Sequence, residues 1–272
     1  MSHPLPSPVP VARFAIAPRD ATRLLGGTLA TLVAIPILLG IVRLATGRDN
    51  LLGLVPMFDV TLETNVPTWF SGGLLVMASM LLMLIARNGQ LGRPALLAGS
   101  RPVQWYGLAL IFAYLSLDEI AQLHERTTAP VRSLLGTEGV LYWAWVIPAM
   151  LVAVAIGALY SRFVMRLPPR TARWFVIAAV VYVGSATGGD ILGGAIRMAQ
   201  VEAGTERFLH WLVSLVEETG EMGAIVLFIH VLLRHVADAA FSSAPSAEPV
   251  KAPATRVRAE LPAPELVGSV HE

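Results

Sequence analysis

The feature that most constrains this chain is a series of apolar runs longer than a soluble core needs. The first reads LLGGTLATLVAIPILLGIVRLA, from Leu24 to Ala45, and comparable windows recur along the sequence. About 20 such residues in one helix cross the hydrocarbon core of a bilayer. The runs are continuous and rich in Leu and Ala, with none of the period-2 alternation of a membrane barrel strand. Only 14% of the residues are charged, against roughly a quarter in an ordinary soluble domain. The fold class read from this is all-α, a polytopic membrane bundle of six transmembrane helices.

The spans are expected at about Leu24–Ala45, Trp69–Ala86, Val103–His124, Val140–Phe163, Ala172–Arg197 and Phe208–Leu233. Pro36 and Pro148 fall inside spans, where a neighbouring helix can satisfy the freed carbonyl. Residues 1–22, Pro-rich and without a compact apolar core before a small-residue cleavage site, read as a retained disordered tail and not a signal peptide. Residues 236–272, rich in Ala, Pro, Ser and Glu, read as a second disordered tail. Residues 50–68 read as a segment lying at the membrane interface, with Asn65 capping the second span and Pro67 in its first turn. Trp69 then falls in the aromatic belt.

Arginine sets the orientation. Arg13, Arg19 and Arg23 precede the first span, and Arg87, Arg93 and Arg101 join the second to the third. Arg162, Arg166, Arg170 and Arg173 join the fourth to the fifth, and Arg234 follows the sixth. The other connections mix Arg with Asp or Glu. The positive-inside rule then places both termini in the cytoplasm of a cell whose inner membrane holds the protein. The bilayer is the expected partner, with other membrane subunits as further candidates. A net charge of +1 gives no reason to expect nucleic acid. The absence of Cys removes disulfides, thiolate metal sites and a Cys nucleophile together.

The unusual residues are acids inside these runs. The third span ends SLDEIAQLHE, Ser116 to Glu125. At 100° per residue, Asp118, Gln122 and Glu125 share one face of a continuous helix, with Glu119 and His124 offset from it. On the sixth span His210, Ser214, Glu217 and Glu221 share a face, with Glu218 offset; on the fifth, Asp190 lines up with Gly194 and Arg197. Glu217 and Glu221 lie roughly 10 and 16 Å deeper than His210. With this orientation all the acids gather in the outer half of the bilayer. An ionised carboxylate facing lipid costs at least about 2.5 kcal/mol, so spans three, five and six are expected to pack these faces together. The stretch GSATGGDILGGA on span five allows close approach. The expected outcome is a polar pocket built from Glu63, Asp118, Gln122, His124, Glu125, Asp190, His210, Glu217 and Glu221.

Two stretches carry a resemblance. ETNVPTWFS (Glu63 to Ser71) and SLDEIAQLHE (Ser116 to Glu125) resemble a family of bacterial multi-pass membrane proteins that pair E-x-N-x-P-T-W-[FY]-S with S-L-D-E-x-x-x-x-H-E. The family has no assigned activity. The resemblance implies a membrane protein with a shared site at Glu63, Asn65, Asp118, Glu119, His124 and Glu125. It covers the first half of the chain well and the second half loosely.

Three readings of the acids follow. Glu63, Asp118, His124, Glu125, Asp190, His210, Glu217 and Glu221 are candidate ligands for a divalent metal such as Zn, Mn or Fe. In a metal-dependent membrane enzyme, hydrolytic or oxidative, Glu119, Glu217 and Glu221 are the candidate catalytic acids or bases. The Glu-x-x-His spacing of bundle di-metal proteins is missing, however. Intramembrane carboxylates also mark proton or cation pathways. A scaffold or accessory subunit is the third reading: Arg197 lies two turns from Asp190, Arg126, Arg132 and Arg207 fall near the same layer, and Asp–Arg and Glu–His pairs would neutralise most of the cluster. Ser116 and Ser214 lack a nucleophile elbow, and GSATGGD lacks the strand and Lys of a phosphate loop. His230 is expected to bond a neighbouring backbone, and His235 to sit with Arg234 at the cytoplasmic interface.

Overall fold

In the computed structural model, which describes residues 17–242 apart from Arg48, Asp49, Glu63 and Arg93, the regular structure is helical throughout. The tails expected at 1–22 and 236–272 lie outside the described residues up to residue 16 and from 243 on. Their inner ends are not tails, because the first helix begins at Pro18 and the last runs to Ser242.

The elements are α1 (Pro18–Thr46), α2 (Leu54–Phe58), α3 (Val66–Gln90), α4 (Pro102–Ala121), α5 (Leu123–Leu135), α6 (Val146–Val164), α7 (Pro169–Met198) and α8 (Ala203–Ser242). Five helices, α1, α3, α6, α7 and α8, are each long and apolar enough to cross a membrane. The bent pair α4–α5 makes a sixth candidate, its two halves meeting at 79°. Their length and composition are compatible with a membrane bundle. α3 packs along α4 and α7 along α8, while α8 also touches α1 and α3 and so occupies the centre.

The core follows helical periodicity. Leu74, Leu75, Ala78, Leu82 and Ile85 of α3 face Met222, Ile225, Ile229 and Leu232 of α8. Lipid tails are as apolar as Leu, so within a bilayer such contacts stabilise by close packing more than by transfer from water. Small polar groups tighten the α3–α4 seam: Ser79 Oγ donates to the Ala109 carbonyl at 2.7 Å, and Ser116 Oγ to that of Gly72 at 2.9 Å.

At the end where α4 begins, the core is aromatic. Trp105 is fully buried, meeting Phe163 edge-on at 5.1 Å and stacking on His235 at 5.3 Å. Its Nε1 donates to Ser100 Oγ at 2.7 Å. Phe228 stacks on Phe112 at 4.6 Å and tilts against Phe175 at 4.7 Å. These rings close the middle of the bundle.

Several expectations are corrected here. The third span is not one helix to His124, because Gln122 adopts a left-handed conformation (φ 54°, ψ 44°) that ends α4. α6 starts at Val146 and not Val140, and Pro148 sits in its first turn, where a missing N–H costs nothing. His235 is buried inside the bundle and does not share the exposure of Arg234. It is 4% exposed, and its Nε2 pairs with the Leu96 carbonyl at 2.8 Å. His230 pairs through Nδ1 with Thr22 Oγ1 at 2.6 Å, a side chain and not a backbone group.

Candidate functional site

Asn65 anchors the start of α3. Its Oδ1 accepts from the Thr68 backbone N–H at 2.8 Å and from Thr68 Oγ1 at 2.9 Å, with Pro67 in the first turn. Its Nδ2 donates backwards to the carbonyls of Asp59, at 2.8 Å, and Leu62. One side chain thus caps the helix and ties down the preceding connection, as the N-cap preference predicts. Glu63 lies outside the described residues.

The first turns of α3 meet the last turns of α4. Gly72 leaves no room for a Cβ, which would lie 2.8 Å from Ile120 Cγ1. Buried Ser71 lies beside the Glu119 carboxylate, and Asp118 and His124 also act on that carboxylate. The stretches ETNVPTWFS and SLDEIAQLHE are therefore packed against one another.

Asp118 then defines the break. Its Oδ1 accepts from the His124 backbone N–H at 2.8 Å and its Oδ2 pairs with His124 Nδ1 at 3.0 Å. Because Gln122 turns the chain, a carboxylate on α4 satisfies an otherwise orphaned N–H at the start of α5. His124 packs on Trp145 with ring centroids 4.5 Å apart, and Trp145 Nε1 donates to Asp190 Oδ2 at 2.5 Å. A line Asp118–His124–Trp145–Asp190 thus joins α4, α5, the residue before α6, and α7. Gln122 and Glu125 leave the face they would share with Asp118 on a straight helix. Glu125 is exposed on α5, close enough to act on Asp190.

The glycines of α7 admit the acids of α8. Glu217 lays its carboxylate against Gly189, in the space a Cβ would take, and Ser185 fits against Gly220 in the same way. The His210 and Trp143 rings lie over Gly193. At Gly194 a Cβ would stand 2.6 Å from the Val140 carbonyl oxygen, so the chain before α6 rests directly on α7. One turn deeper, Glu221 lies within electrostatic reach of Glu119, Glu218, Glu217 and Asp190. Tyr182 of α7 faces the same group of acids.

Of the residues singled out in the sequence, the fold brings Asp118, Glu119, His124, Asp190, Glu217, Glu218 and Glu221 into one neighbourhood. His210 is occupied separately, with Glu206 at 3.8 Å. Among the described residues no three His, Asp or Glu side chains are arranged to hold a metal ion. Of the expected ligand set, Asp118 caps α5, Glu125 is exposed, His210 pairs locally, and Glu63 lies outside the described residues. Nor does Arg197 reach Asp190. The guanidinium groups of Arg197 and Arg132 each lie 4.1 Å from the Tyr142 ring centre, while Arg126 and Arg207 are exposed. Trp145, Tyr182 and Ser71 are site residues that sequence reasoning missed. For Trp145 the available signal was an aromatic next to the start of a span, which ordinarily marks the membrane belt.

A family model described as Domain of unknown function (DUF8692) matches residues 25–236, and the chain belongs to that family. No curated protein and no solved structure matches the chain.

Proposed function

We propose that this member of the DUF8692 family is an inner-membrane protein that binds a cation among the acids of the bundle, in a site reached from the outer side. The observation that carries the reading is the setting of Glu221. Glu119, Glu218, Glu217 and Asp190 all act on it, while Arg132 and Arg197 stack on Tyr142. Like charges crowded in a low-dielectric interior need a compensating cation or shared protons. Asp118 holds the His124 ring through Nδ1, which sets a titratable imidazole beside these acids.

The aromatic layer argues for a site open on one side over a through-path. Phe112, Phe175 and Phe228 close the bundle beneath the acids, and a conducting path needs polar lining there. Of the pairs the accessory-subunit reading expected, Asp190–Arg197 is replaced by Asp190–Trp145, while His210 does pair with Glu206.

The test is thermal unfolding of the detergent-purified full chain in Na⁺, K⁺, Mg²⁺, Mn²⁺ and Zn²⁺ series, with elemental analysis of the same samples. At least one cation is expected to raise the midpoint saturably in the wild type and to lose that effect in E217Q/E221Q. No saturable shift with any of the five overturns the proposal.

A further inference from the structure

Arg132 of α5 and Arg197 at the end of α7 come from distant parts of the chain, yet both guanidinium groups lie 4.1 Å from the Tyr142 ring centre. Neither forms an ion pair with an acid among the described residues, unlike Arg23, which pairs with Asp20 at 3.5 Å. Glu138, in the same connection as Tyr142, pairs with neither. Along this stretch of chain three buried polar atoms have no hydrogen-bond partner among the described residues: Arg132 Nε, Thr128 Oγ1 one turn earlier on α5, and Thr137 Oγ1 just beyond α5. Thr128 is only 5% exposed. Buried donors left unmade are costly, and two like charges around one ring repel. The Tyr142 hydroxyl is held below the ordinary tyrosine range, by its bond to Arg132 first and the charge of Arg197 second.

We infer that Arg132 and Arg197, gathered about Tyr142, bind a phosphate-bearing anion, with the Thr128 and Thr137 hydroxyls as additional donors. Guanidinium groups match phosphate oxygens in charge and fork geometry, and paired arginines hold them better than a point charge does. The position suits such a ligand. α5 leaves α4 at 79°, so it lies across the end of the bundle, and exposes Leu134 (82%) and Leu135 (54%) at its tip. A helix in that attitude rests at headgroup level, with its cations among lipid phosphates. A phosphodiester headgroup and a free phosphate share this chemistry. The site is separate from the acid cluster and does not rest on the cation-binding proposal.

Native mass spectrometry of the full chain in neutral detergent tests the inference, with added phosphatidylglycerol or phosphatidylcholine and with inorganic phosphate as competitor. Phosphatidylglycerol is expected to bind in preference to phosphatidylcholine, and about tenfold more weakly to R132Q/R197Q. Arg197 is exposed, so R197Q alone serves if the double variant does not fold, and it should show the same loss in smaller measure. Displacement of lipid by millimolar phosphate assigns the site to the phosphate group itself; resistance to it assigns the site to the lipid. Equal phosphatidylglycerol binding by wild type and variants, with no effect of phosphate on either, overturns the inference.

Discussion

Asp118 holds His124 twice, through the ring at 3.0 Å and through the backbone N–H at 2.8 Å. One carboxylate therefore orients a titratable ring and caps the helix that carries it. The two roles separate by substitution. D118A loses both and should lower stability by about 1 kcal/mol, the usual cost of a lost cap. D118N keeps an acceptor for the N–H and should cost well under half of that, while removing the charge that fixes the imidazole. Unfolding of the two variants in one detergent, followed with and without the stabilising cation, distinguishes them. Equal losses for both would show that the cap contributes nothing.

Asn65 is the complementary case, a motif residue whose observed work is architectural. N65A removes the acceptor for Thr68 and the donor to Asp59 and Leu62, and should destabilise by about 1–2 kcal/mol. Its cation response should keep the wild-type midpoint concentration. A shift in that concentration would place Asn65, or the adjoining Glu63, in the binding site itself.

The α7 glycines order themselves by what a methyl would strike. In G194A it meets the Val140 carbonyl oxygen at 2.6 Å, a backbone atom that cannot swing aside. That variant should lose about 1–3 kcal/mol, as overpacked sites do. In G189A it meets the end of the Glu217 side chain, which can move, so the cost should fall on cation affinity more than on stability. In G193A the nearest atom is His210 Cε1 at 3.4 Å, an ordinary contact, and little change is expected in either. Thermal midpoints and cation titrations of the three, measured side by side, check the ranking; G189A with unaltered affinity would remove Glu217 from the site.

Much of this architecture was legible in the chain because it depends on composition and period. The apolar runs, the Asn65 cap and the Gly-rich face of α7 each follow from one local rule. The turn at Gln122 does not. Apolar periodicity continues through IAQLHE, there is no Gly or Pro to mark a break, and a left-handed Gln is unfavourable on its own. It persists because Asp118, six residues before His124, pairs with the far side of the turn, an interaction visible only in three dimensions. His235 misled for a related reason. Its neighbour Arg234 is exposed, but one residue on, about 100° round the helix, the ring stacks on Trp105. The Asp190–Arg197 pairing failed because two nearby partners competed: Trp145 took the acid and Tyr142 took the cation.

Tyr142 lies outside the spans, so its titration can be read in the detergent-solubilised protein. A free tyrosine ionises near pH 10; Arg132, by its bond, and Arg197, by its charge, favour the phenolate and bring Tyr142 below that. Absorbance near 295 nm should show an early tyrosine step on raising the pH of the wild type, and Y142F should lack it. In R197Q the step should move upward toward the ordinary value, and in R132Q further still, because Arg132 is the larger cause. The sign for stability follows. A group whose folded value is depressed favours the folded state above its unfolded value, and that contribution fades as pH falls through the folded one. Any stabilisation from this ionisation therefore belongs to the alkaline limb. A phosphate-bearing ligand seated on the two arginines should shield Tyr142 from them and raise its step, which gives an optical check on the anion site. An early step that survives in R132Q/R197Q would mean that the arginines are not its cause.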